Sequence, residues 1–237
     1  MSKLYFFRHA QASYLAENYD ELSEKGKRQS AALGKYLVDK NFHFDKIFVG
    51  PLKRQKHTFE IVADIFSNNK IEMPKPVFLN ELKEHSGTEG VHEAMPKLIE
   101  TVPPIKRWYA EMKANPALRK RNTLLSFQYF MDEWVEGNIE IEGIESWKDF
   151  RGIVKKGLHT ILENTGKGET VGTFTSGGTI SSITAEALNI RDEKRVAAMN
   201  FSVRNTSFSS FLFSKSQFNL LSFNELPHLE KEMITFV

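Results

Sequence analysis

The chain has 237 residues, 41% of them apolar, and its 32 basic against 30 acidic side chains leave a formal net charge of +2. That length can bury a sizeable core without disulfides or metals, and so even a charge balance argues against a dedicated nucleic-acid or membrane binder. The absence of cysteine excludes disulfides, thiolate catalysis and Cys-ligated zinc, and fits a reducing cytoplasm. The longest apolar runs fall far short of the ~18 residues a membrane helix needs. The apolar stretch of MSKLYFFRHA is broken by charge too soon for a signal peptide.

In chain order, Leu4–Phe7 reads as a short buried strand. Ser23 is a suitable N-cap for a helix whose Leu33, Tyr36 and Leu37 recur at helical spacing. Lys46–Val49 reads as a second strand, ended by Gly50-Pro51, and Pro51 suits the first turn of a helix that continues through Phe59, Val62 and Phe66. Pro76–Leu79 is a third strand. Residues 91–140 differ in texture, being rich in Lys, Arg, Met and aromatics with prolines at 96, 103, 104 and 116; they read as short helices forming an inserted lobe. Glu145–Leu162 is an amphipathic helix with Trp147, Phe150, Val154, Leu158 and Ile161 on one side, closed by the Gly-Lys-Gly at 166–168. Val171–Thr175 is a strand, the sequence from Gly177 is a turn opening a helix, and Thr206–Phe213 and Asn219–Phe223 are two final strands. Strands alternating with helices imply a three-layer α/β/α arrangement around a mostly parallel sheet.

Ligands of such sheets sit beyond the carboxyl ends of the strands, and three of these junctions carry chemistry. Arg8-His9 follows the first strand, GPLKRQKHT (50–58) follows the second, and TSGGT (175–179) follows the fourth. Arg8 and Arg54 can reach a common point, and an arginine fork binds phosphate through two oxygens. A Gly-Gly turn at the start of a helix adds backbone N–H groups at the positive end of the helix dipole. No ligand pattern of the HExxH type suggests a metal.

These residues resemble the histidine phosphatase superfamily, the phosphoglycerate-mutase-like fold. FFRHAQ is similar to that family's Arg-His-Gly-Glu/Gln opening, LSEKGKRQSAALGKYL to its first helix, and FVGPLKRQKHT to its Ser-Pro-Leu-x-Arg-x-x-x-Thr segment. NELKEHSGTEG resembles the stretch that supplies the family's proton-donating glutamate, GIESWKDFRGIVKKGL the helix before the last catalytic strand, and NTSFSSFLF…LLSFNELPHL the closing strands. The resemblance implies one domain over 1–237, with 91–140 as a helical cap lobe. It also implies phosphomonoester hydrolysis through a phosphohistidine on His9, with Arg8 and Arg54 clamping the phosphate and Gln11 and Gly177 adding to its binding. Glu84 is the implied acid and base, with Glu81, one helical turn away, as the alternative. No metal or organic cofactor is implied, and the partner is a small-molecule or phosphorylated substrate of a cytoplasmic protein.

The chain departs from the family pattern in a few places. Ser176 stands where the resemblance places a second histidine, Ala10 follows His9 in place of glycine, and Gly50 precedes Pro51 in place of serine. A serine hydroxyl can donate a hydrogen bond but cannot supply charge, so a degenerate phospho-ligand binder is the alternative function. QASYLAENYDELSEKG lacks the Trp-Asn signature of glycolytic mutases, so a phosphoglycerate mutase in the strict sense is not expected. Elsewhere, His57 and His159 read as ordinary helix residues and His228 as a structural hydrogen-bonder, while His85 either lines the pocket or packs. The run ALRKRN at 117–122 reads as a solvated helix face. Trp108, Tyr109, Phe127, Tyr129, Phe130 and Trp134 read as lobe core.

Overall fold

The computed structural model describes residues 1–13 and 20–236; residues 14–19 of the QASYLAENYDELSEKG stretch and residue 237 of the expected 1–237 domain lie outside it. The chain divides into two compact units, one formed by Met1–Glu84 with Ile153–Val237 and the other by His85–Gly152.

The first unit is built on a six-stranded sheet in the order β3-β2-β4-β1-β5-β6, comprising β1 (Ser2–Arg8), β2 (Lys46–Val49), β3 (Pro76–Phe78), β4 (Thr170–Thr175), β5 (Phe208–Phe213) and β6 (Phe218–Glu225). The pairs β1–β4, β4–β2 and β2–β3 are parallel, and β5 is antiparallel to both β1 and β6. Only β5 is reversed, so the sheet is mixed but mostly parallel. Helices cover both faces and complete a three-layer α/β/α fold. Leu4 and Phe6 point to one face of β1, and Tyr5 and Phe7 to the other. Phe7 joins Leu33, Leu37, Phe59, Val62 and Phe174 in a buried cluster under α1 (Glu24–Asp39) and α2 (Lys53–Asn68). The Phe7 and Phe174 rings stack across the β1–β4 ladder with centroids 5.0 Å apart, the offset-stacked spacing such rings favour. On the opposite face, α7 (Gly177–Leu188) packs on β1 and β6, with α8 (Glu193–Asn200) against it.

Local chemistry explains where the elements begin. Ser23 caps α1 by accepting from the Gly26 N–H at 3.0 Å. The α6 helix (Trp147–Glu163) starts two residues later than its periodicity suggests, because the Ser146 hydroxyl accepts from the Asp149 N–H at 3.1 Å and sets the first turn there. β5 likewise starts at Phe208 and not at Thr206, whose φ of 58° is incompatible with a strand. α8 was not anticipated from the sequence pattern; Asp192 caps it by accepting from the Arg195 N–H.

In the second unit, α3 (Gly87–Thr101), α4 (Pro103–Ala114) and α5 (Arg119–Val135) have 15, 12 and 17 residues, longer than the short helices expected between 91 and 140. Pro103 and Pro104 open α4, where a missing N–H costs nothing, so these prolines delimit helices without shortening them. Phe130, Trp134, Trp147 and Phe150 form its core. The other aromatics contribute less to that core, and Tyr109 is exposed. Of the ALRKRN run, Asn122 is buried, with its amide donating to the Trp108 carbonyl and to Glu111.

Two features of the first unit bear on stability. Gly26 lets α1 approach the loop after β1, since a Cβ there would lie 2.1 Å from the Gln11 carbonyl oxygen. Gly26→Ala is therefore expected to cost about 1–3 kcal/mol, read as a fall in the urea midpoint with an unchanged m-value. His228 is partly buried, its Nε2 lies 3.0 Å from Thr206 Oγ1, and burial lowers its pKa to about 4. The unfolded chain then binds the extra proton first, so stability is lost as pH falls from about 6.5 toward 4. Denaturation curves at a series of pH values should show His228→Gln removing roughly 3 kcal/mol of that acid-induced loss by pH 4.

Candidate active site

The register of the sheet puts three strand ends side by side. Arg8 pairs with Thr175 at the end of the β1–β4 ladder, and Val49 pairs with Phe174 on the other side of β4. The His9 N–H donates to the Thr175 carbonyl at 2.8 Å and the Gly50 N–H to the Phe174 carbonyl at 2.9 Å. The turn after β1 is held further by Arg8 N–H on the Ser207 carbonyl, by Ala10 N–H on Thr58 Oγ1 at 3.0 Å, and by the His9 carbonyl accepting from Asn205 Nδ2 and the Thr206 N–H.

His9 is buried, with 4% of its surface exposed. Its Nδ1 lies 2.8 Å from the Ala10 carbonyl oxygen. A carbonyl can only accept, so Nδ1 carries the hydrogen and Nε2 presents its lone pair. Arg54 Nε donates to that Nε2 at 3.2 Å. Burial first, then the positive charges of Arg54 and Arg8, hold the His9 pKa well below the usual histidine value, against a smaller opposing effect of the Ala10 carbonyl. The imidazole is therefore neutral at physiological pH.

Arg54 lies in the first turn of α2, nearly buried, with Nη1 2.7 Å from Asp20 Oδ1. Arg8 donates through Nη1 to the carbonyls of Val203 and, at 2.6 Å, Phe236. It also lies beside the start of α7: a Cβ on Gly177 would be 3.5 Å from Arg8 Nε and 2.4 Å from Asn200 Oδ1. Gln11 does not present its side-chain oxygen outward; that atom accepts from Ser23 Oγ at 3.0 Å, while its backbone N–H donates to Gln29.

At the end of β4, Ser176 is fully buried and precedes α7. Its hydroxyl accepts from Gln55 Nε2 at 2.8 Å, and the same amide donates to the Leu82 carbonyl at 3.0 Å. Gly50 makes room for this side chain: a Cβ there would fall 2.1 Å from Gln55 Oε1 and 2.7 Å from the Leu82 oxygen. Gln55 is the residue the sequence reading passed over. Its only signal was its place next to Arg54, with glycine at 50 and serine at 176 leaving a space to be filled.

Thr175 Oγ1 donates to the Leu82 carbonyl and Thr179 Oγ1 to the Lys83 carbonyl. These bonds bring Glu84 to the N-terminus of α7, where the Gly178 N–H lies 3.2 Å from both carboxylate oxygens. The Gly-Gly turn expected to attract a phosphate thus holds a carboxylate of the chain itself. Glu81 lies elsewhere, since its Cβ would be 2.7 Å from a Cβ on Gly157 of α6. In the second unit His85 packs: its ring sits 5.6–5.8 Å from Trp134, Trp147 and Phe150, and Nδ1 accepts from the Gly87 N–H. Among the described residues, no three histidine or acidic side chains converge as a metal site, and no helix is long and apolar enough to cross a membrane.

This arrangement has known relatives. The sequence pattern of the histidine phosphatase superfamily (branch 1) matches residues 4–128 and 118–226. Among solved structures, YhfR of Bacillus stearothermophilus superimposes with a TM-score of 0.66 at 16% identity, over 97% of this chain and 100% of that one. The phosphoglycerate mutase of Bacillus anthracis gives 0.63 at 17% identity, over 96% and 94%. A phosphoserine phosphatase variant of Entamoeba histolytica, in complex with phosphoserine, gives 0.60 at 17% identity, over 97% and 100%. At such low identity the solved structures speak for the fold, and the sequence pattern speaks for the family: the chain belongs to the histidine phosphatase superfamily, branch 1.

Proposed function

We propose that the protein is a phosphomonoesterase that transfers the phosphoryl group of a small substrate to His9 and then to water. The observation that carries this reading is the state of His9: a neutral imidazole whose Nε2 lone pair faces the Arg54 guanidinium, with Nδ1 fixed on a backbone carbonyl. A nucleophile that must bond to phosphorus needs that lone pair. In the first step Nε2 attacks phosphorus and the bond to the ester oxygen breaks. The leaving oxygen takes a proton from the Glu84 carboxyl group. In the second step Glu84 takes a proton from water, the resulting hydroxide attacks phosphorus, and the P–N bond breaks to release inorganic phosphate. Arg54 and Arg8 stabilise the charge on the phosphoryl oxygens. Glu84 is favoured over Glu81 because it lies at the α7 N-terminus next to Ser176, while Glu81 packs against α6.

Ser176 replaces the second histidine of the family pattern in this reading, and the substitution slows the reaction. Loss of one preorganised donor costs about 10²–10³ in rate. A second reading, capture of a phosphorylated ligand without turnover, is favoured by the same residue. Ser176 is wholly buried and bonded to Gln55, so no imidazole supports the transferring group from that side.

Aryl phosphate hydrolysis separates the two readings. Turnover abolished by His9→Ala, together with an alkali-stable, acid-labile phosphoprotein on rapid quenching, is the expected result; turnover that survives His9→Ala would sink the mechanism. No turnover in the natural protein, with activity appearing in a Ser176→His/Gln55→Ala variant that makes room for the imidazole, would establish the binding reading. In an active natural protein the same double variant should raise kcat by about 10²-fold. Because burial and the Arg54 and Arg8 charges hold the His9 pKa well below its usual value, any acid limb of kcat/KM due to its protonation should lie well below the range of a free histidine. A His9-dependent fall centred near pH 6.5 would contradict the assigned environment.

A further inference from the structure

The phosphate clamp proposed above depends on which edge of the Arg54 fork faces His9, and the geometry points to Asp20 as the positioning residue that sets it. This inference rests on the phosphoryl-transfer reading. The Asp20 carboxylate is held at three points. Oδ2 accepts from the Lys53 N–H at 2.8 Å, and Oδ1 accepts from the Arg54 N–H at 3.4 Å and from Arg54 Nη1 at 2.7 Å. The two backbone donors belong to the first turn of α2, where N–H groups have no partner within the helix. The carboxylate is thus anchored on the same turn that carries Arg54, at the positive end of the helix dipole.

The planar guanidinium makes the consequence specific. Nη2 lies on the same side of the group as the Nε–H, and Nη1 lies on the other. With Nη1 on Asp20 and Nε directed at His9 Nε2, the edge turned toward the nucleophile is the one formed by Nε and Nη2. That edge carries two parallel N–H donors, the arrangement that can donate to two phosphate oxygens once a phosphoryl group enters between Nε and His9 Nε2. Asp20 grips the guanidinium outside that edge, so it fixes the clamp without taking the place of the phosphate. Without Asp20 the guanidinium would lose the carboxylate that orients Nη1, and with it part of the alignment with His9 that proximity catalysis requires. The Arg54 side chain is 10% exposed and that of Asp20 28%, so water competes little for the pair.

Calorimetric titration of inorganic phosphate and vanadate into the natural protein, Asp20→Ala, Asp20→Asn, Arg54→Ala and the Asp20→Ala/Arg54→Ala double variant tests this. Asp20→Ala should weaken both anions at least about tenfold. Asp20→Asn should retain most of the affinity, because its amide oxygen still accepts from α2 and from Nη1. In the Arg54→Ala background, loss of Asp20 should have no further effect, since its contribution passes through the guanidinium. Should Asp20→Ala fail to fold, Asp20→Ser, which keeps a hydroxyl for capping but is too short for Nη1, should show the same loss. Unchanged or tighter binding in folded Asp20→Ala or Asp20→Ser would overturn the inference while leaving the phosphate site standing. So would an undiminished loss in the Arg54→Ala background, which marks a general structural role. If the natural protein binds neither anion, the phosphate site falls and this inference with it.

Discussion

The hydrogen bond from the His9 N–H to the Thr175 carbonyl closes the parallel ladder between β1 and β4, and the rest of the site depends on that alignment. Parallel strands place their carboxyl ends at the same edge of a sheet, so chain segments more than 160 residues apart deliver Arg8, His9, Ser176 and Gly177 to one place. With β2 on the far side of β4, Arg54 arrives at the same edge on the first turn of α2. The stacked Phe7 and Phe174 rings below the junction lock the register, because a slip of one strand by one residue would turn its ring out of their common core.

A site of this kind concentrates charge where water is scarce, and three of its charged side chains meet partners of opposite polarity. Arg54 meets Asp20, Arg8 meets two carbonyl oxygens, and Glu84 meets the Gly178 N–H in the first turn of α7. A buried charge without such partners would cost several kcal/mol. The C-terminal segment takes part in this bookkeeping. Phe236 supplies a carbonyl to Arg8 and its ring lies 3.9 Å from the Arg204 guanidinium, while Gln29 holds the Met233 carbonyl and Thr235 Oγ1 at 2.7 and 2.9 Å.

Gly50 and Ser176 are small residues that face the Gln55 side chain at the end of β4. Together they leave a space that the Gln55 amide fills, bonding to Ser176 Oγ and the Leu82 carbonyl through Nε2 and to the Leu52 N–H through Oε1. A buried amide with its donors and acceptor satisfied is stable, so the core holds the Ser176 hydroxyl with a partner.

Much of the architecture was legible in the residues. The apolar runs 4–7, 46–49 and 171–175 became central strands, Ser23 became a cap, and Arg8, His9, Arg54 and the Gly-Gly turn could be assigned to strand ends because parallel-sheet topology leaves few other places for them. Helix lengths in 85–152 were less legible, since prolines delimit a helix or interrupt it according to position, and position depends on neighbours. Asp20 and Gln55 were silent because each acts through an atom brought near only by folding: the α2 N-terminus for one, the vacancy beside Gly50 for the other. The resemblance pointed to Glu84 with Glu81 as the alternative, and the hydrogen bonds of Thr175 and Thr179 to the 82–83 backbone bring Glu84 to α7. The sequence by itself determined the family, the order of the strands along the chain and the place of Arg8 and His9 after the first strand, because these rest on local pattern. Only the tertiary structure decided the protonation state of His9, the partner of each charged group and the fate of the space at Ser176, because burial and hydrogen-bond geometry are properties of neighbours far apart in the chain.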